Sequence, residues 1–456
     1  MEKLMKILMK WWKMLMRETS SDHQKRTQEE YRVKTLAKKE IARGIRAFFD
    51  KNYDLRYNVM KQIEEFRPKP GNVHQKATDE NYSLSKFAQW ATNENYSMSN
   101  RKRKSTFPDG MDKNWKPLTD RDLKRIAIEQ MEEVGVAWTI DVEAYVRSSL
   151  VHDYSPVADF LAHCRRWDGK DRIRQLARRV PTSCDHWAEW FHRWFLAMVA
   201  QWQQRSRDYG NSVVPMLIGS QGTHKSTFCK LLLPPYLREY YIDDIKLDNA
   251  EQVERMLSRM LLVNIDEYNA KTEREQAKIK RVLTERDVQT RKMRSDQYVM
   301  LPRMASFVAT TNDRQPLYDP TGSRRYLCCE VTDIIDTSQP IDYGQLYAQA
   351  VRELEGGAPW YFSKDEEAAI EQHNQQYRCM PPTETVLLVY YEPAERQAAN
   401  FVKTTDILQT LRQHLRPTDV PSVKKLTQAL KACRFPYGAV GGLRGWYARR
   451  NGVEGE

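Results

Sequence analysis

The chain has 456 residues, 41% hydrophobic and 29% charged, with a net charge of +12 and a pI near 9.2. That length suits about three domains, and the composition allows buried cores in a water-soluble protein. Seven cysteines without regular spacing exclude a disulfide framework and point to a reducing cytoplasm, while the excess of Lys and Arg favours a polyanionic partner, nucleic acid before membrane.

The first seventeen residues, MEKLMKILMKWWKMLMR, are not a signal peptide or a membrane span, because Lys3, Lys6, Lys10 and Lys13 interrupt every apolar run. They read as an amphipathic helix with Leu4, Leu8, Trp11, Trp12 and Leu15 opposite the lysines. Docking on the protein body or a partner chain is favoured over a membrane surface. From Lys25 to Phe66 basic and apolar positions alternate with helical period until RPKPG, where Pro68 and Pro70 stop the helix. A polar tract over 68–114 follows, with TDENYSLS recurring as TNENYSMS and a closing RKRK at Arg101 to Lys104. It reads as a peripheral insertion in an N-terminal helical region, 1–114.

LTDRDLKRIAIEQMEEVG predicts a helix capped by Thr119 and stopped at Gly135. Trp187, Trp190, Trp194 and Phe195 then fall at helical spacing, which favours a packed face over a cofactor box. Residues 115–205 are expected to form a helical, collar-like domain.

The stretch GSQGTHKST, Gly219 to Thr227, nearly matches the phosphate-loop pattern G-x-x-x-x-G-K-[ST]. It follows the apolar run VVPMLIG and precedes the helix-like KSTFCKLLL. Backbone N–H groups from Gln221 through Gly222, Thr223, His224 and Lys225 to Ser226 would wrap a β-phosphate. Lys225 would reach the β and γ phosphates, and Ser226, with Thr227 beside it, would ligate Mg²⁺. His224 stands where a second glycine is usual, and histidine is among the non-glycine residues enriched at positive φ. Farther on, MLLVNIDEYN reads as a buried strand ending in Asp266, placed to hold Mg²⁺, and Glu267, placed to polarise an attacking water. A strand that merely ends in surface acids is the bland alternative. ASFVATTND is a further buried strand whose Asn312 could orient that water, and TGSRR supplies Arg324 and Arg325, positioned to act on the phosphoryl group of a neighbouring subunit.

The motifs SPVADFL and WDGKDRI, then GSQGTHKSTF, NIDEYN, FVATTN and DPTGSRRY, lie in order between Val146 and Val331. Together they resemble the virulence-associated protein E family of phages and mobile elements, itself similar to superfamily 3 helicases of the AAA+ class. The resemblance implies a Walker A site at Gly219, Gly222, Lys225, Ser226 and Thr227, and a Walker B pair at Asp266 and Glu267. It implies a sensor at Asn312 and a trans-acting finger at Arg324 or Arg325. It also implies a hairpin that touches single-stranded DNA, over Asp287 to Leu301, with Arg291, Lys292 and Arg294 near its tip; solvated charge without a DNA role is the alternative there. The fold expected is α/β, a P-loop AAA+-like three-layer core with a parallel sheet over 206–355. A helical region precedes it, and a connecting segment, 356–402, follows.

Over 403–456, two helices and a glycine-rich turn between aromatic-basic strands suggest a winged-helix domain. Lys424, Lys425 and Lys431 would lie on its second helix and Arg444, Arg449 and Arg450 on its wing, to hold duplex DNA. A packing module with surface charge is the competing account. The expectation is an ATP- and Mg²⁺-dependent DNA helicase or translocase, a ring of identical subunits taken as a hexamer. The alternatives are an ATPase switch that does not unwind and a non-catalytic scaffold. Asp141 and Glu143 form only an isolated D-x-E, so any primase is assigned to a separate protein.

Overall fold

The computed structural model describes residues 9, 23–70, 115–135, 139–205, 210–243, 249–268, 273–291, 298–318, 323–379, 382–417 and 419–451. The expected amphipathic segment at 1–17, apart from Met9, and the polar tract from 71 to 114 lie outside them. Two compact units divide near Arg166.

In the first unit a helix, His23–Asn52, ends earlier than its periodicity suggested. The chain turns instead into a hairpin of β1 (Tyr53–Asn58) and β2 (Ile63–Pro68), paired antiparallel with Leu55 opposite Phe66. This corrects the expectation of helix as far as Phe66, and the reason is local. Tyr53, Leu55 and Phe66 share one face with period two and pack with Phe48, Phe49, Ile126 and Val142. Asn58 Oδ1 accepts from the N–H groups of Met60 and Lys61, both at 3.1 Å, and so closes the turn. Two short strands, β3 (Lys116–Pro117) and β4 (Asp153–Tyr154), complete the order β3-β2-β1-β4. The helix Asp120–Val134 begins with a capping box between Thr119 and Asp122 and stops at Gly135, φ 83°.

The second unit is built on five strands: β5 (Val214–Ile218), β6 (Tyr241–Ile242), β7 (Leu262–Ile265), β10 (Ser306–Thr311) and β11 (Tyr326–Glu330). All pair parallel in the order β11-β5-β10-β7-β6. Parallel strands need covering on both faces, which explains their near-continuous apolar sequences. On one face Val214, Met216, Ile218 and Phe307 pack with Val253 and Leu257 of the helix Ala250–Arg259 and Leu283 of the helix Glu273–Thr284. The helix Trp187–Trp202 lies against β5 and β11, with Phe191 meeting Phe228. Its Trp202 Nε1 donates to Leu261 O at 3.2 Å, so this helix, expected in the collar, is part of the sheet's cover. Between the helix Glu273–Thr284 and β10, β8 (Asp287–Arg291) pairs with β9 (Tyr298–Pro302). The expected hairpin therefore has its stem there, whereas Lys292 and Arg294 lie outside the described residues.

The C-terminal part has its own core of Leu387, Tyr391, Ile407, Leu411, Leu426, Leu430 and Trp446. Because Leu387 and Tyr391 belong to it, the helix Pro382–Tyr390 is part of this module rather than of a connector. Two further helices, Thr404–His414 and Val423–Ala432, precede β14 (Tyr437–Val440) and β15 (Leu443–Arg450). The strand β15 also pairs with β12 (Tyr391–Pro393) and β13 (Phe401–Val402).

Candidate active site

In open parallel sheets ligands bind outside the carboxyl ends of the strands, where connections diverge. The segments after β5, β7 and β10, the three adjacent inner strands, carry the residues singled out in the sequence. After β5 the chain passes so close to Val331 that a Cβ at Gly219 would stand 2.9 Å from Val331 O. Gly222 then takes φ 86° and His224 φ 64°, both left-handed, and the helix Lys225–Leu231 starts immediately after His224. The histidine thus adopts the backbone a glycine would supply, at about 1–2 kcal/mol. His224 O accepts from Phe228 N at 2.9 Å, while its side chain is exposed. Gln221 and Thr227 are exposed as well, and Thr223 Oγ1 donates to Ser220 O at 2.9 Å, tightening the loop.

Lys225 is 7% exposed. Its Nζ donates to Gly219 O at 2.8 Å, Ser220 O at 2.7 Å and Asn312 Oδ1 at 3.1 Å. Burial lowers its pKa, and the nearby Asp266 carboxylate opposes that shift. Ser226 Oγ donates to Asp266 Oδ1 at 3.0 Å, and Thr310 Oγ1 donates to the same carboxylate oxygen. These contacts bring Lys225 together with Asn312, and Ser226 with Asp266, from three separate strand ends.

Thr310 lies within FVATTN, yet nothing in the sequence assigns it a role. The signal is in the strand register: Ala309 lies opposite Ile265, so the next residue of each strand, Thr310 and Asp266, are neighbours at the sheet edge. Tyr268 N donates to Thr310 O at 2.8 Å and Thr311 Oγ1 to Tyr268 O at 3.1 Å, which ties the chain back to β10 just past Glu267. Glu267, between these anchored residues, takes φ 50° and is exposed. A left-handed glutamate costs energy that its anchored neighbours impose.

Arg324 and Arg325 sit in a short 3-10 turn, Ser323–Arg325, pinned by Asn374 Nδ2, which donates to Ser323 O and Tyr326 O, both at 2.7 Å. Arg324 pairs with Glu367 at 3.0 Å, and Arg325 lies near Lys280 and lowers its pKa, second to burial. Among the described residues neither arginine hydrogen-bonds or ion-pairs with the loop Gly219–Thr227 of the same chain. Arg291 closes β8. Lys424, Lys425 and Arg444 are exposed in the C-terminal module.

Arg303, equally unmarked in the sequence, is fully buried at the foot of β9. Its guanidinium donates to the carbonyls of Asn211 and Leu283 at 2.7 Å, Ala305 at 2.7 Å and Glu285 at 3.0 Å. It joins the end of one helix, the stem of the paired strands and the approach to β5. Among the described residues no group of three His, Cys, Asp or Glu side chains could hold a metal ion, so an ion here would rest on Ser226, Asp266 and ligand oxygens. No helix among them is long and apolar enough to cross a membrane.

No curated protein matches the chain. Among solved structures, the apo structure of the NrS-1 C terminal region (305-718) is similar at 10% identity and a TM-score of 0.44, covering 89% of this chain and 98% of that one. An A form apo structure of the same region has 13% identity and a TM-score of 0.40, covering 74% and 92%. A family model, the virulence-associated protein E-like domain, matches residues 161–379, a span that contains Lys225, Ser226, Asp266, Glu267 and Asn312. Residues 161–379 of this chain are therefore a virulence-associated protein E-like domain.

Proposed function

We propose that this protein is an ATP hydrolase that works on DNA during replication of a phage or mobile element. The observation that carries the reading is the convergence of Lys225 on Asn312 and of Ser226 on Asp266 at adjoining ends of a parallel sheet. The donor set suits a magnesium nucleotide: a buried ammonium, a hydroxyl beside a carboxylate, and a loop whose left-handed residues favour inward-facing N–H groups. ATP would supply the γ-phosphoryl group, and Mg²⁺ would supply positive charge that stabilises the phosphates' negative charge.

Lys225 would exchange its loop carbonyls for phosphate oxygens, and Ser226 and Asp266 would hold the ion. Glu267 takes the proton of the attacking water, which Asn312 orients. Arg324 or Arg325 acts on the site of an adjacent subunit in a ring, read as a hexamer. Arg291, Lys292 and Arg294 bind single-stranded DNA, next in sequence to the stem of β8 and β9. Movement on DNA follows from transmitting nucleotide state to that stem.

The test is ATP turnover with and without single-stranded DNA for the wild type and Lys225→Ala. DNA-stimulated turnover that Lys225→Ala abolishes supports the hydrolase; absence of turnover in both proteins leaves a non-catalytic scaffold. Strand displacement on a forked duplex then separates a helicase from a switch that hydrolyses ATP without unwinding.

A further inference from the structure

The C-terminal module lies beyond the matched domain, and its exposed surface is chemically one-sided. Residues 382–451 hold eleven Lys and Arg against five Asp and Glu. In the helix Val423–Ala432, Leu426, Ala429 and Leu430 face the core. Lys424, Gln428 and Lys431, spaced i, i+4 and i+7, form the opposite stripe, with Lys425 beside it. Among the described residues Lys424, Lys425, Lys431 and Arg444 have no carboxylate partner, whereas Glu384 is taken by Arg378 and Glu392 by Arg449. A cationic surface with no carboxylate partner among the described residues is complementary to a polyanion.

Shape selects the polyanion. The strands β14 and β15 turn through Gly441 and Gly442, at φ 56° and 82°, with Val440 opposite Leu443. That is the two-residue hairpin that left-handed glycines permit. It presents Arg444 and Leu443, the latter 51% exposed, at its tip, and Val423, 54% exposed, opens the helix. Trp446 fixes the hairpin to the first helix of the pair, donating from Nε1 to Thr404 Oγ1 at 3.1 Å. A convex helix about 10–12 Å across fits the major groove, about 12 Å wide. Single strands are held instead in concave, aromatic-lined grooves.

We infer that residues 382–451 form a duplex-DNA-binding head. The helix Val423–Ala432 enters the major groove, and the hairpin at Gly441–Gly442 holds the adjacent backbone. Lys424, Lys425, Lys431 and Arg444 bind phosphates. Gln428 faces base edges, where its amide can pair with adenine, and Val423 offers an apolar surface to thymine methyl groups.

The experiment uses the full chain without nucleotide, so its outcome is independent of the hydrolase reading. Fluorescence anisotropy with a labelled duplex of two helical turns, and with one of its strands, is followed across salt concentrations. Removing one phosphate-binding cation lowers the salt slope by about 0.9, or roughly fivefold in affinity at about 0.15 M salt. The triple variant Lys424→Ala, Lys425→Ala, Lys431→Ala is expected to bind duplex about 100-fold more weakly with a slope smaller by about 2.7. Arg444→Ala alone should cost about fivefold, with circular dichroism unchanged in both. Wild-type protein that ignores duplex, or a triple variant within twofold of wild type, overturns the proposal. So does a preference for the single strand that the same variant abolishes.

Discussion

Thr310→Val tests the site at its least obvious member. The hydroxyl of Thr310 donates to the Asp266 oxygen that also accepts from Ser226, and Thr310 is 1% exposed, so water cannot replace it freely. Valine keeps the shape and the branched β-carbon but removes the donor. A hydrogen bond to a charged group contributes about 1.5–3 kcal/mol, and removing the partner of a metal-ligating side chain typically costs about 10–100-fold in metal affinity. With Asp266 read as the Mg²⁺ ligand, half-maximal Mg²⁺ for ATP turnover should rise by about that factor, while the rate at saturating Mg²⁺ stays within a few-fold. Thr310→Ser restores the donor and should restore the Mg²⁺ dependence. The assay is steady-state ATP hydrolysis titrated with Mg²⁺ at fixed ATP. An unchanged Mg²⁺ midpoint, or a rate defect that excess Mg²⁺ does not repair in the valine variant, would refute the orienting role of Thr310.

Other residues give sharper tests of packing and backbone. Arg303→Met strands buried carbonyls that the guanidinium serves, at about 1–3 kcal/mol for each one left unpaired; thermal melting should fall by several degrees, and a wild-type melting curve would contradict the role of Arg303. His224→Gly removes the left-handed cost and should keep turnover near wild type, whereas His224→Val, β-branched at φ 64°, should reduce it at least tenfold; equal rates for the two would show that the backbone there is not constrained. In the first unit Tyr53 Oη donates to the buried Glu129, which also pairs with Arg125. Burial first, then that hydrogen bond, pushes the Tyr53 phenol up to about 12. Tyr53→Phe should destabilise the unit by about 1–3 kcal/mol, seen as earlier proteolysis near the helix His23–Asn52, and unchanged proteolysis would speak against the bond.

The sequence alone determined the features that need only local chemistry. An apolar run, a loop with Lys225 and Ser226, a second run ending in Asp266 and a third ending in Asn312 are each readable because buried parallel strands are continuous and apolar and their ends are abrupt. Thr119 and Gly135 marked a helix for the same reason, since caps are made by the residues beside them. His224 is legible too: its position demands a left-handed backbone, and few side chains accept one.

Only the tertiary structure decided what depends on register and on distant partners. Helical period and strand period overlap in short amphipathic runs, so Tyr53 to Phe66 became a hairpin once Phe48, Phe49 and Ile126 supplied a face to bury against. The tryptophan helix joined the sheet rather than a collar because its buried face meets Phe228 and Leu261, neighbours that no window of sequence contains. Thr310 reaches Asp266 across 44 residues and Arg324 reaches Glu367 across 43, and in each case the partner is set by how strands and helices stack. Spacing along a chain names the groups that carry chemistry; which of them share an oxygen atom is fixed by packing.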